Sequence, residues 1–107
     1  MKKALLLLAA LACSGAVAQS ISTPTGVSSL NLACLQGDDS DYARGFCVGV
    51  IEAVYSMMDG WCVPNNVTHG QVQALVRAGL PSKMRSDPLM PASDAIIELI
   101  QEAWPCQ

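Results

Sequence analysis

A chain of 107 residues carrying 6 basic and 9 acidic side chains, with a net charge of -3, has room for one small domain and lacks the basic surface that phosphate binding needs. Nucleic acid is therefore excluded as a partner. One histidine beside five cysteines offers little for catalysis and points instead to crosslinking.

Residues 1–18 read as an export signal. Lys2 and Lys3 precede an apolar run from Ala4 to Ala12, and Ala16-Val17-Ala18 is the small-x-small pattern that a signal peptidase accepts before Gln19. The run is shorter than the roughly 20 residues that span a bilayer, so a membrane association is expected only if Cys13, in the weak lipobox Ala10-Leu11-Ala12-Cys13, is lipidated. The expected compartment is the periplasm. Cleavage leaves 89 residues (107 less 18) with 4 basic charges (6 less Lys2 and Lys3) against 9 acids, a net -5. Such a balance fits a partner of basic charge.

Residues 19–26, "QSISTPTG", have no apolar period and read as a flexible tether ahead of one domain at 27–107. Leu30, Ala33 and Cys34 fall at helical spacing, which predicts a short helix over 27–35 ended by Gly37. "DDSD" follows, with Asp39 or Ser40 placed to cap the next helix, predicted over about 41–59 and stopped by Gly60. Ala43, Phe46, Cys47, Val50, Ile51, Val54, Met57 and Met58 form its apolar arc. On the opposite face Gly45, Gly49 and Ala53 repeat every four residues, with Glu52 and Ser56 beside them.

Each interior glycine costs a helix about 0.8–1 kcal/mol relative to alanine, so the stripe needs a return elsewhere. Two occupants fit a strip with almost no side chain: the chain's own leading segment, or a partner surface such as a second copy.

Thr68-His69-Gly70-Gln71 matches a capping box and predicts a helix over about 69–79, with Val72, Leu75, Val76 and Leu80 inward. His69 at its start reads as a solvated or loosely capping residue, and Glu52 as a lone surface carboxylate. Pro81, Pro88 and Pro91 bound a polar loop containing Ser82, Lys83, Met84, Arg85, Ser86 and Asp87. Pro91 suits the first turn of a last helix, with Ile96, Leu99, Ile100, Ala103 and Trp104 as its apolar stripe and Pro105 as its end. No strand pattern remains. The fold class is all-α, a small disulfide-stapled bundle of three main helices plus a short N-terminal one.

Four cysteines remain after the leader: Cys34, Cys47, Cys62 and Cys106. A helix over 41–59 is about 27 Å long, whereas a disulfide needs Cα atoms within about 7 Å. That length separates Cys62 from both Cys34 and Cys47. The pairing expected is therefore Cys34–Cys47 and Cys62–Cys106. Metal ligation by these cysteines is disfavoured by their spacing, and no cofactor, metal or catalytic constellation is expected.

"FCVGVIEAV", "WCVPNNVTHGQVQALV" and "MPASDAIIELIQEAWPC", in this order, resemble the Rap/Tai immunity proteins over roughly Cys34 to Cys106. The chain departs from that pattern at Ala53, where members often carry a further glycine, and in "GLPSKMRSDPLMP", where a longer charged stretch is usual. The resemblance implies a non-catalytic, often dimeric helical inhibitor of a type VI secretion peptidoglycan amidase, which it occludes with a protruding loop. The loop Ser82 to Asp87 is the first expectation for that contact and Asn65-Asn66 the second. The rival expectation is a small periplasmic stress chaperone or another helical protein-binding module.

Overall fold

The computed structural model describes residues 25–107, so the expected signal at 1–18 and most of the expected tether lie outside the described residues. Four helices occur in chain order: α1 (Val27–Leu35), α2 (Asp41–Met57), α3 (His69–Ser86) and α4 (Ala92–Ala103). No strand accompanies them among the described residues; a single isolated bridge joins Gly26 to Pro91. The chain is a small all-α bundle in which each helix packs against the other three.

The core follows from one apolar row per helix. Leu30 and Cys34 on α1, Cys47 and Ile51 on α2, Val72, Val76 and Leu80 on α3, and Ile96 and Ile100 on α4 recur at spacings of three or four and are all buried. Burial of such branched side chains contributes on the order of 1.5–3 kcal/mol each before chain entropy is counted. Both expected disulfides are present. Cys34 pairs with Cys47 and Cys62 with Cys106, at Cα separations of 5.0 and 5.2 Å.

The helix starts are set by local chemistry. Ser40 Oγ accepts from the amide of Ala43 and caps α2. At α3 the capping box is complete: Thr68 Oγ1 accepts from the Gln71 amide at 3.1 Å, and Gln71 Oε1 accepts from the Thr68 amide at 2.8 Å.

Two helix ends differ from the sequence expectation. α2 stops at Met57 rather than 59 because Trp61 Nε1 donates to the Tyr55 carbonyl at 2.9 Å, Met58 is extended and Gly60 turns the chain at φ 82°. Met57, expected in the core, consequently stands outward and is 83% exposed. Ala103, at the far end of α4, is likewise exposed, and Ala92 and Ala95 are buried in its place.

The second difference is larger. α3 continues through Pro81 to Ser86, so residues 82–86 are helix and not loop. An interior proline costs about 3 kcal/mol. Tertiary packing offsets that: Leu80 is fully buried, Met84 packs against the core, and Lys83 Nζ reaches Glu98 Oε2 at 2.8 Å and Glu102 Oε1 at 2.5 Å on α4. The two carboxylates raise the Lys83 pKa above its ordinary value, Glu102 most strongly.

Candidate partner-binding surface

α3 and α4 are joined by the short connection from Asp87 to Pro91. Its shape begins with Asp87, whose amide donates to the Lys83 carbonyl and closes α3. Asp87 Oδ1 then accepts from the Leu89 amide at 3.2 Å, and its carbonyl accepts from the Met90 amide at 3.2 Å, which folds Pro88-Leu89 into a tight turn. Residues at the start of the described chain hold this turn from the other side. Ser28 Oγ donates to the Pro88 carbonyl, the Val27 amide to the Met90 carbonyl, and the Ala92 amide to the Thr25 carbonyl. Thr25 and Gly26, placed in the flexible tether by sequence, are thus hydrogen-bonded parts of the fold.

On top of this turn stands Leu89, 92% exposed. It lies beyond Pro88, outside the polar loop Ser82 to Asp87 that the sequence marks for the contact. Its one signal was an apolar residue between two prolines in "DPLMP".

The residues expected to carry the contact are dispersed. Ser82, Arg85, Ser86 and Asp87 are exposed, the first three on the last turns of α3. Lys83 is committed to Glu98 and Glu102, and Met84 to the core and to Asn31, whose Nδ2 donates to its Sδ. Asn65 and Asn66 occupy an exposed turn closed by the Val67 amide and the Pro64 carbonyl, before α3. They lie at the other end of that 18-residue helix from Leu89, roughly 25 Å away.

The small-residue stripe of α2 is open. Gly45, Gly49, Ala53 and Ser56 are exposed, and a Cβ placed on Gly45 or Gly49 would meet nothing within 4 Å. Packing of the leading segment over the stripe is therefore excluded for the described residues; α1 packs on the other side, through the Cys34–Cys47 bond. Exposed Tyr42 and Met57 flank the stripe at its two ends.

Glu52 does not stand free beside it. Its Oε1 accepts from Gln73 Nε2 at 2.7 Å and its Oε2 lies 2.9 Å from His69 Nδ1, which makes it a strut between α2 and α3. The Gln73 hydrogen bond holds its carboxyl below the usual 4.5, against the opposing effect of burial and with smaller help from His69. His69 further rests edge-on against Tyr55, with ring centroids 5.3 Å apart. No group of three or more His, Cys, Asp or Glu side chains that could hold a metal occurs among the described residues. No described helix is long and apolar enough to cross a membrane.

The fold and this surface define a small, doubly crosslinked helical bundle with a braced apolar tip and an open small-residue face. The sequence profile of the Rap1a immunity proteins matches residues 26–106, and the chain belongs to that family. No curated protein and no solved structure matches it. Membership implies a cognate secreted effector protein as partner and a family that is generally non-enzymatic.

Proposed function

We propose that this protein is an exported, periplasmic immunity protein that binds a type VI secretion peptidoglycan amidase and blocks its catalytic cleft with the Asp87–Leu89 turn. The family supports the immunity role, and the leader at 1–18, with Cys13 removed rather than lipidated, supports export. One observation carries the mode of action: an apolar side chain left 92% exposed at the summit of a turn fixed by hydrogen bonds from α1 and α3. A turn already in its bound shape loses little conformational entropy on docking.

The test is inhibition of the cognate amidase on purified peptidoglycan. Stoichiometric protein should abolish stem-peptide release, and Leu89→Asp should weaken binding by about 2 kcal/mol, roughly 30-fold, without lowering the melting temperature. Unchanged affinity removes the tip from the account; an amidase untouched by the wild-type protein removes the proposed target.

The α2 stripe supports a second contact, with another copy of this chain. Gly45, Gly49 and Ala53 let two backbones approach closely, and the half-buried groove of about 220 Å³ lined by Leu32, Ala33, Tyr42 and Phe46 continues the same apolar face onto α1.

A further inference from the structure

Between α1 and α3 lies a second cleft, of about 350 Å³, lined by Asn31, Cys34, Leu35, Ala74, Arg77 and Ala78. Its floor is unusual for its polarity. Asn31 is only 5% exposed, and its one hydrogen bond to the described residues goes to the Met84 thioether, a weak acceptor. A carboxamide carries two N–H donors, and among the described residues the strongest acceptor they meet is sulfur. Arg77, an exposed residue of α3, lines the same cleft. Among the described residues Arg44 and Lys83 have carboxylates within 4 Å, while Arg77 and Arg85 have none; of these two, Arg77 is the one that lines the cleft. Ala74 and Ala78, one turn apart on α3, line the cleft with small side chains, and Leu35, 66% exposed, adds an apolar one.

We infer that this cleft binds a carboxylate side chain on a protein segment, an Asp or Glu followed by an apolar residue, with Arg77 and the Asn31 amide as donors and Leu35 against the apolar neighbour. The argument is charge complementarity. In a domain whose described charges sum to -5 (4 basic, 9 acidic), Arg77 is the unpaired guanidinium that shares a cleft with a buried, under-used amide, and a charge-assisted pair with a carboxylate satisfies both. This rests on the binding role proposed above, and would give the effector a second foothold away from the Leu89 tip, on the α1 side of α3.

The test needs no effector. The oxidised, exported protein, labelled with ¹⁵N, is titrated with N-acetyl-Glu-Leu-amide, N-acetyl-Gln-Leu-amide and N-acetyl-Lys-Leu-amide. The glutamate peptide should shift the Asn31 side-chain amide and the Arg77 Nε resonance with half-saturation on the order of 1–10 mM, while the other two bind at least tenfold more weakly. Arg77→Gln, at an exposed position, should keep the fold and abolish the shifts. No shift with the glutamate peptide, equal shifts with the glutamine peptide, or binding retained in R77Q each overturns the inference. An effector bound normally by R77Q would leave the immunity role standing and confine the cleft to other ligands.

Discussion

Replacing Gly45 and Gly49 together by alanine separates the two uses a glycine stripe can have. Both positions lie in regular α2, neither has positive φ, and the added Cβ atoms would meet nothing within 4 Å. Only helix propensity then acts within one chain. Two replacements at about 0.8–1 kcal/mol each give roughly 1.6–2 kcal/mol of added stability, which for a domain of this size raises the melting temperature by about 7–15 °C. Gly79 is the contrasting control. A Cβ there would collide with Leu99 Cδ2 and come within 3.1–3.2 Å of Cδ1 and Cγ, so Gly79→Ala sets the same propensity gain against overpacking of about 1–3 kcal/mol. Thermal unfolding followed by far-ultraviolet circular dichroism, at a concentration where the protein sediments as a monomer, should show G45A/G49A stabilised and G79A not. Sedimentation at higher concentration should show self-association weakened in the double variant, since the methyl groups hold two backbones apart. A double variant no more stable than wild type would mean that the stripe already touches something within one chain, and unaltered self-association would move the dimer contact elsewhere.

Other perturbations probe the braces. Lys83→Met should cost about 1 kcal/mol and speed hydrogen exchange at the amides of 83–87, because the last turn of α3 hangs on Glu98 and Glu102 beyond a proline. The raised Lys83 pKa places its contribution fully below the ordinary value of 10.5, to be lost as pH rises through the higher folded value, so the wild-type advantage over K83M should vanish only in strong alkali. For Glu52 the sign is opposite. A folded pKa below 4.5 stabilises above that pH and is lost as pH falls through the lower folded value, so the gap between wild type and Glu52→Gln in urea unfolding should narrow as pH falls below 4.5; a gap that acidification leaves unchanged refutes the strut. Opening the Cys62–Cys106 loop of 44 residues by a double alanine replacement should cost about 4 kcal/mol in the chain-entropy account, against about 3 for the 13-residue Cys34–Cys47 loop. The second loss should exceed its entropic share, because Cys34 and Cys47 are also core residues and leave cavities.

What the sequence makes legible here is whatever one stretch of chain decides for itself. Ser40 before Asp41 and Thr68 three residues before Gln71 satisfy their own helix starts, so the starts of α2 and α3 fall where the pattern puts them. The disulfide pairing is equally readable, because the length of α2 rules out the alternatives. Pro81 is where local rules lose: a proline that ends most helices is carried through by Leu80, Lys83 and Met84 binding to other helices, and no window around residue 81 contains those partners. The same blindness hid Glu52, whose role depends on His69 and Gln73 on α3, 17 and 21 residues away. Leu89 was concealed for the opposite reason. Its meaning lies in having no neighbours, and an exposed leucine looks in sequence like any core leucine.

These placements divide the labour between the crosslinks and the tip. Cys62–Cys106 joins the segment after α2 to the residues after α4, so the whole of α4, about 18 Å of helix, separates it from the Pro88-Leu89 turn. The turn is instead held by hydrogen bonds from Thr25, Val27 and Ser28, and α1 is in turn pinned to α2 by the buried Cys34–Cys47 bond. The buried crosslink therefore lies on the chain of contacts that fixes the tip, and the exposed one acts on the stability of the bundle as a whole. A partner that reads Leu89 should consequently tolerate loss of Cys62–Cys106 while the bundle stays folded, and should bind less well once Cys34–Cys47 is gone, because α1 can then shift and the turn must be ordered again at the moment of binding.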